Sequence, residues 1–148
     1  MARLASKEKL GYYPTPPEVT DLIQAWLARG GAGKIRVFDP CCGMGTAAAA
    51  IATHLQAESY GVELDAIRAS QAKELLKTVI HGDALRASIK PESVSCLFLN
   101  PPYDTLDGGR LEDKFLSVHV PSLMTGGILV LVISVGSYSE WMGKFLSA

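Results

Sequence analysis

The sequence predicts one doubly wound α/β domain with a mostly parallel sheet. Short apolar runs that suit strands alternate with helical patterns of about 10–15 residues, which is typical of βαβ units. Glycine or polar residues directly follow four of these runs. The chain has 148 residues, 48% of them hydrophobic, and domains commonly have about 100–150 residues, so we expect one domain with its own core.

The first predicted element is an amphipathic helix. Its apolar residues recur at positions i, i+3, i+4, i+7 and i+8, and they are Val19, Leu22, Ile23, Trp26 and Leu27. Thr15 and Glu18 have the spacing of a capping box, with Pro16 and Pro17 between them. This spacing marks the start of the helix, where Thr15 either caps it or contacts a ligand. We expect Trp26 to lie in the core and the glycine-rich residues that follow to end the helix.

The remaining elements continue the alternation. Strands are predicted at 35–39, 59–64, 78–81, 94–99 and 128–134, and the last has an unbroken apolar run that suits burial on both faces. Helices are predicted at 46–55, at 65–77 with Asp65 as its N-cap, and at 111–123 after a glycine-bearing loop, and another helix begins within 138–146.

Charge and composition exclude several classes of protein. A net charge of −1 argues against a domain that holds nucleic acid by electrostatics alone. The cysteines lack CxxC spacing and the histidines are scattered, so we expect neither a disulfide framework nor a metal site. Residues 1–10 do not resemble a secretory signal, and no apolar run approaches the ~20 residues of a membrane span. We expect a cytoplasmic protein with no membrane contact.

Polar or glycine-bearing segments follow four consecutive predicted strands. They are residues 39–45, 63–65, 82–83 and 100–103. In open α/β sheets, ligands bind beyond the carboxyl ends of the strands, at the point where the strand order reverses. The sequence therefore predicts one ligand site to which all four segments contribute.

The first two segments suit an adenosine-containing ligand. Gly43 and Gly45 allow a tight turn and a close approach of a ligand to the next helix N-terminus. Glu63 ends the second strand, where a carboxylate can accept hydrogen bonds from both ribose hydroxyls. Residues 43–48 also fit the G-x-G-x-x-G/A pattern of dinucleotide enzymes, so an NAD-dependent enzyme is an alternative.

Asn100-Pro101-Pro102-Tyr103 favours a different cofactor. With this motif the chain resembles the class I S-adenosylmethionine-dependent methyltransferases, specifically the amino-methylating group that includes the DNA adenine-N6 methyltransferases. The resemblance covers nearly the whole chain, in the motif order of the gamma-type members. It implies a Rossmann-like methyltransferase fold, S-adenosylmethionine as cofactor, S-adenosylhomocysteine as product and DNA as partner.

The resemblance also implies roles for individual residues. The N-terminal segment 12–17 is similar to the one that closes over the methionine part of the cofactor, Glu63 to the ribose-binding acid and Asp83 to the adenine-contacting acid. The implied catalytic residues are Asn100, Pro101, Pro102 and Tyr103. The implied cofactor-binding residues are Tyr13, Thr15, Pro16, Asp39, Pro40, Cys41, Gly43, Gly45, Glu63, Leu64, Asp83, Ala84 and Asn100.

The motif at 100–103 suits methylation of a planar amine. The exocyclic amine of adenine is a poor nucleophile because its lone pair is delocalised into the ring. The Asn100 side-chain oxygen and the Pro101 carbonyl can each accept one N–H, which favours a pyramidal nitrogen. Tyr103 can stack on the base, an interaction worth about 1–3 kcal/mol, and a duplex would present that base by flipping.

Several of these residues also have a purely structural interpretation. Thr15 and Asp83 can cap the segments that follow them, and Cys41 and Cys42 can act as small apolar fillers. Asn-Pro and Pro-Pro pairs are common in ordinary turns. The position of the motif at 100–103, after a buried strand and beside three other strand ends, favours the functional interpretation.

The substrate is less narrowly defined than the reaction. RNA bases and protein glutamine amides also present planar amines, although Thr15-Pro16-Pro17 before the glycine loop favours DNA. A non-catalytic subunit that binds the cofactor or serves assembly is a further alternative.

The domain prediction is one methyltransferase domain over residues 1–148. Residues 1–29 form the cofactor-closing segment with its helix, and residues 34–148 form the α/β core. The family usually adds two more strands and a target-recognition region, so we expect the sheet to be truncated after the fifth strand. The chain is then a catalytic-domain fragment, a truncated gene product or one half of an assembly. The run 128–133 then forms an exposed sheet edge, which predicts a homodimer or pairing with a partner chain.

Overall fold

The computed structural model describes residues 12–30, 33–106 and 108–133, together with Gly143 and Ser147. The helices are α1 (Pro17–Trp26), α2 (Thr46–Leu55), α3 (Ala66–Ala72) and α4 (Leu111–His119). The strands are β1 (Arg36–Asp39), β2 (Glu58–Glu63), β3 (Thr78–His81), β4 (Val94–Leu99), β5 (Thr105–Leu106), β6 (Gly109–Arg110) and β7 (Leu123–Leu131). Two 3₁₀ turns lie at Ala84–Arg86 and Val120–Ser122. The helix predicted within 138–146 falls almost entirely outside the described residues.

Five strands form one parallel sheet in the order β3-β2-β1-β4-β7. The chain runs outward from β1 to β3, then returns to place β4 on the other side of β1. This reversal of direction between β1 and β4 is the switch point at which α/β sheets bind ligands. The predicted doubly wound α/β fold is confirmed.

The central strands β1, β2 and β4 are largely buried, as their apolar residues require. Strand β3 is mostly exposed and no residue of β7 is fully buried, so the burial on both faces predicted for the last strand is wrong. Val37 and Phe98 pack on one face of the sheet with Leu27, which directly follows α1, and with Ile51 of α2. On the opposite face, a second cluster joins β1, β2 and β4 to α4, and its members include Phe38, Val62, Leu97, Leu99, Phe115 and Leu116. The two clusters hold the strand ends in fixed relative positions.

The core position predicted for Trp26 is wrong. Trp26 is 84% exposed and Leu22 is also exposed, whereas Thr20 and Leu27 are buried and Ile23 packs against the core. Helical geometry explains the difference, because the buried stripe runs along Thr20, Ile23 and Leu27 and leaves Leu22 and Trp26 on its flank.

The capping interpretation of Thr15 is also wrong. The N-cap residue is Pro16, which has no side chain able to cap, and its carbonyl accepts the N–H groups of Val19 and Thr20, each at 3.1 Å. The Thr15 hydroxyl is therefore available for another partner, described below. Asp65 does cap α3 as predicted, accepting the Arg68 N–H at 2.9 Å.

Other boundaries differ near glycine and turn residues. Helix α3 ends at Ala72 instead of residue 77, and Leu76 in the turns that follow packs into the core. Strand β7 begins at Leu123, five residues earlier than predicted, because the strand continues through Gly126, with a register shift against β4. The loop predicted at 104–110 contains the short antiparallel pair β5–β6.

Candidate active site at the strand ends

A cavity of about 490 Å³ opens beyond the carboxyl ends of β1, β2 and β4. Its position is the switch point of the sheet. Its volume lies in the range of about 300–1,000 Å³ that is typical of small-molecule sites. The predicted site residues that line it are Tyr13, Pro40, Cys41, Glu63, Leu64, Asp83, Ala84, Asn100, Pro102 and Tyr103.

A buried carboxylate organises the turn after β1. Asp39 is 3% exposed, and its Oδ1 accepts a hydrogen bond of 2.9 Å from the Cys41 backbone N–H. Burial raises the pKa of Asp39 to about 7 and the charge of Glu63 adds to this rise, while the Cys41 N–H opposes it. Asp39 thus shapes the turn behind the cavity.

Gly43 and Gly45 make room for other parts of the chain. Their φ angles of 56° and 84° lie in the left-handed region that favours glycine. A Cβ at position 43 would lie 2.2 Å from the Tyr12 ring, and one at position 45 would lie 3.1 Å from Leu76. Gly43 therefore lets Tyr12 cover the loop, and Gly45 lets α2 approach the turn after α3.

Glu63 is held by three residues of its own chain. Its Oε2 accepts the Gly43 N–H at 2.9 Å, and its Oε1 accepts the Asp65 N–H at 2.8 Å. Arg68 donates to the same Oε1 from Nε at 3.2 Å and from Nη2 at 2.9 Å, while its guanidinium lies 4.6 Å from the Tyr12 ring centroid. A carboxylate offers about four lone-pair positions, so one position on Oε2 remains for a ligand.

Asp83 both caps a turn and lines the cavity. It accepts a hydrogen bond of 3.0 Å from the Leu85 N–H and so caps the 3₁₀ turn that follows. The capping interpretation is therefore confirmed. Its contact with adenine stays a prediction, supported by the position of Asp83 on the cavity wall near Glu63 and Leu64.

The Asn100 side chain joins two distant segments. Its Nδ2 donates to the Tyr13 carbonyl at 3.2 Å and to the Thr15 hydroxyl at 2.9 Å. Its Oδ1 accepts a hydrogen bond of 3.0 Å from the Tyr103 hydroxyl. The Asn100 carbonyl accepts the Cys41 thiol, with a distance of 3.2 Å from Sγ to the oxygen. The ends of β1 and β4 and the segment before α1 therefore meet at one residue.

Two tyrosines stand beside that residue. The rings of Tyr13 and Tyr103 have centroids 5.8 Å apart and planes tilted by 41°. Tyr13 is 55% exposed and Tyr103 is 36% exposed, so both present aromatic surface to solvent and the cavity. Burial raises the pKa of Tyr103, with smaller contributions from the charges of Glu112 and Cys41, so the Tyr103 hydroxyl stays a hydrogen-bond donor at neutral pH.

The sequence of residues 1–143 matches DUF6094, described as an uncharacterised methyltransferase family. The chain belongs to this methyltransferase family. A search of the curated proteins gave no match to the sequence of the methyltransferase.

Solved structures share the fold of the methyltransferase at low sequence identity. The methyltransferase subunit of a type I restriction-modification system from Streptococcus thermophilus is 17% identical, with a TM-score of 0.69 over 84% of this chain and 34% of that chain. Geranyl diphosphate C-methyltransferase from Streptomyces coelicolor is 17% identical, with a TM-score of 0.63 over 88% of this chain and 50% of that chain. An RNA methyltransferase from Salinibacter ruber is 19% identical, with a TM-score of 0.62 over 86% of this chain and 82% of that chain. The chain spans half or less of the first two structures. Two of the three proteins are named for a substrate, geranyl diphosphate in one and RNA in the other.

Some predicted site residues of the methyltransferase lie outside the cavity lining, and some lining residues were not predicted. The predicted residues outside the lining are Thr15, Pro16, Asp39, Gly43, Gly45 and Pro101. Of these, Thr15 reaches Asn100 and Gly43 reaches Glu63 through hydrogen bonds. The unpredicted lining residues include Tyr12, Arg68, Leu111 and Phe115. The sequence carried a signal for Arg68, which follows Glu63 by five residues in the first turn of α3, and for Leu111 and Phe115, which are spaced i, i+4.

The lining of the methyltransferase cavity suits binding and orientation more than acid–base chemistry. Burial raises the pKa of Cys41, with a further rise from the charge of Asp39, which disfavours its thiolate. Within residues 12–30, 33–106 and 108–133, no group of three or more His, Cys, Asp or Glu side chains could hold a metal ion. No helix in the described part of the chain is long and apolar enough to cross a membrane.

Proposed function

We propose that this methyltransferase moves the methyl group of S-adenosylmethionine to an exocyclic amine, with adenine-N6 of DNA as its substrate. One observation carries the proposal. The Asn100 carboxamide, with Tyr103 hydrogen-bonded to its oxygen, lines the same cavity as the Glu63 and Asp83 carboxylates. Hydrogen-bond acceptors suited to a substrate amine and hydrogen-bond acceptors suited to an adenosine thus line the same cavity.

The cavity residues suit this cofactor. S-adenosylmethionine supplies an electrophilic methyl group carried on a sulfonium. Glu63 and Asp83 offer oxygens to ribose hydroxyls and an adenine amine, and Leu64 offers an apolar wall. Full use of Glu63 by two hydroxyls requires Arg68 to release Oε1. The S. coelicolor and S. ruber enzymes were solved with S-adenosyl-L-homocysteine, which supports the assignment.

Asn100 and the residues after it form the amine side of the cavity. Asn100 Oδ1 accepts one N–H of the substrate amine, and the Pro101 carbonyl accepts the other. Both hydrogen bonds favour a pyramidal nitrogen with an exposed lone pair. The fixed φ of Pro101 helps aim its carbonyl into the site, and Tyr103 stacks on the base. Catalysis of this kind comes mainly from positioning.

DNA is the proposed substrate for two reasons. Thr15-Pro16-Pro17 precedes the glycine loop as in the DNA-methylating group that the sequence resembles. One structurally similar protein is the methyltransferase subunit of a type I restriction-modification system. Because the net charge is −1, DNA binding requires a local basic patch or a partner chain. RNA bases and glutamine amides also present a planar amine, so RNA and a glutamine peptide are included as alternative methyl acceptors in the transfer assay below.

The test separates cofactor binding from transfer. In calorimetry, we expect S-adenosylmethionine and S-adenosylhomocysteine to bind and NAD not to bind. In a tritiated-methyl assay on unmethylated DNA, RNA and a glutamine peptide, we expect label in N6-methyladenine after digestion of the DNA. Binding without transfer to any acceptor would favour a non-catalytic subunit. Binding of NAD alone would contradict the proposal.

A further inference from the structure

The side-chain amide of Asn100 has both of its N–H groups occupied by the segment before α1. Nδ2 donates to the Tyr13 carbonyl and, at the shorter distance of 2.9 Å, to the Thr15 hydroxyl. These partners lie 87 and 85 residues away in the sequence. Thr15 does not cap α1, where Pro16 occupies the N-cap position. The hydroxyl of Thr15 thus has a partner in the cavity wall and no capping role in the helix.

We propose that Thr15 is a positioning residue that holds the Asn100 amide in the orientation in which Oδ1 faces the substrate amine. The proposal rests on the proposed function, in which Oδ1 is the acceptor for that amine. The oxygen and nitrogen ends of a carboxamide are nearly equal in size, so hydrogen bonding decides which end points where.

The two partners of Nδ2 contribute differently. The Tyr13 carbonyl can only accept, so it selects the nitrogen end of the amide and would repel the oxygen end. The Thr15 hydroxyl supplies the second acceptor, which holds the plane of the amide. Without it, the amide keeps only the longer bond of 3.2 Å from Nδ2 to Tyr13 and the bond of 3.0 Å from the Tyr103 hydroxyl to Oδ1, so it gains freedom to rotate.

The same segment reaches the other side of the cavity. Tyr12 covers Gly43 and stacks on Arg68, and Tyr13 lies beside Tyr103. The segment that would close over a cofactor therefore also holds the group that would bind the amine. Thr15 acts on the reaction through Asn100, so its loss affects turnover more than cofactor affinity.

The first measurement needs neither activity nor cofactor. In the full chain labelled with ¹⁵N, the Asn100 side-chain NH₂ signals are identified by their loss in Asn100→Asp. We expect Thr15→Val to shift one of the two proton signals and to speed its exchange with water at least tenfold, while Thr15→Ser stays within twofold of the wild type. Unchanged Asn100 signals in Thr15→Val would overturn the proposal.

A matched control uses a threonine on α1. Thr20 is buried and donates to the Pro16 carbonyl at 3.3 Å, so Thr20→Val removes a hydroxyl close by in the sequence without touching Asn100. We expect this variant to leave the Asn100 signals unchanged. Equal effects of Thr20→Val and Thr15→Val on those signals would assign the change to general loosening of the segment and overturn the proposal.

The second measurement uses the transfer assay and calorimetry. We expect Thr15→Val to lower kcat about tenfold or more and to lower S-adenosylmethionine affinity by a smaller factor, and Thr15→Ser to restore kcat. A tenfold loss of S-adenosylmethionine affinity at unchanged kcat would make Thr15 a cofactor ligand and overturn the proposal. If the wild type transfers methyl to no acceptor while the NMR result holds, the proposed function fails and the orientation of Asn100 by Thr15 stands.

Discussion

The ion pair between Glu63 and Arg68 is largely buried, with side chains 6% and 15% exposed. A buried charge that loses its partner is costly, so Arg68 stabilises Glu63 in the structure described here. The ribose role proposed for Glu63 uses the same oxygen to which Arg68 donates. Arginine and ribose therefore compete for one carboxylate.

Arg68→Met tests this competition. We expect the melting temperature of the free protein to fall, because breaking a buried pair costs about 3–5 kcal/mol. We expect S-adenosylmethionine to bind about tenfold more tightly, a gain of about 1.4 kcal/mol, because Oε1 is released. Calorimetry and thermal melts measure both effects, with the exposed Arg86→Met as the control. Weaker cofactor binding in Arg68→Met would instead make Arg68 part of the cofactor site.

Substitution of Asn100 and substitution of Glu63 are expected to impair different functions, methyl transfer in the first case and cofactor binding in the second. Asn100→Ala should abolish methyl transfer and keep S-adenosylmethionine affinity within about tenfold, or 1.4 kcal/mol, because Asn100 faces the amine. Glu63→Ala should weaken cofactor binding first. Transfer assays and calorimetry on both variants give the comparison. Loss of the cofactor site in Asn100→Ala would refute the role assigned to Asn100.

Among the elements, those with unambiguous patterns were predicted well. The bounds of α2, β3 and β4 match the predictions. Each is a short segment whose residues strongly favour a helix or a strand, and turn-forming residues mark its ends. The buried face of α1 was not predictable, since Leu22 and Trp26 fit the same periodicity as the residues that are buried. The start of β7 was missed because its glycines lie inside a strand, at an irregularity that only the pairing with β4 reveals.

Helix α4 carries a histidine into the core. His119 is fully buried beside the rings of Phe38 and Phe115, with centroids 5.6 Å and 5.7 Å away. Burial lowers the pKa of His119 to about 4, against a smaller opposing effect of the Ala84 backbone. In the unfolded chain the pKa is about 6.5, so below that pH the unfolded state binds the proton first.

This difference predicts an acid-sensitive stability. As the pH falls from 7 to 4.5, the free energy of unfolding of the wild type should fall by about 2 kcal/mol relative to His119→Gln, whose side chain does not titrate. Urea unfolding at several pH values measures the difference. Asp39, with a pKa raised to about 7, changes stability in the opposite direction over this range in both proteins and cancels in the comparison. Parallel pH profiles for the two proteins would rule out the titration of His119.

For the whole molecule, topology brings together residues that are far apart in the sequence. That Glu63, Asp83 and Asn100 line one cavity follows from parallel strands ending at one edge, which the sequence pattern predicts. The partners of these side chains do not follow from the pattern. The bonds from Asn100 to Thr15 and from Arg68 to Glu63 depend on how loops and helices close over the sheet.

The edge of the sheet gives a prediction about assembly. Within the described residues, β7 is the last strand beyond β4, and Ile128 on it is 44% exposed. We expect this edge to support self-association, which light scattering at high protein concentration measures, and Ile128→Lys to reduce it. Ile67→Lys, at an exposed position on α3, is the control. A wild type that stays monomeric would contradict the prediction.

A crystal structure with bound S-adenosylmethionine tests the central claim most directly. We expect the ribose hydroxyls within hydrogen-bonding distance of Glu63, with Arg68 displaced, and the methyl group directed toward Asn100. A nucleoside found elsewhere on the protein, with Tyr12 and Arg68 still packed over the glycine loop, would contradict the claim.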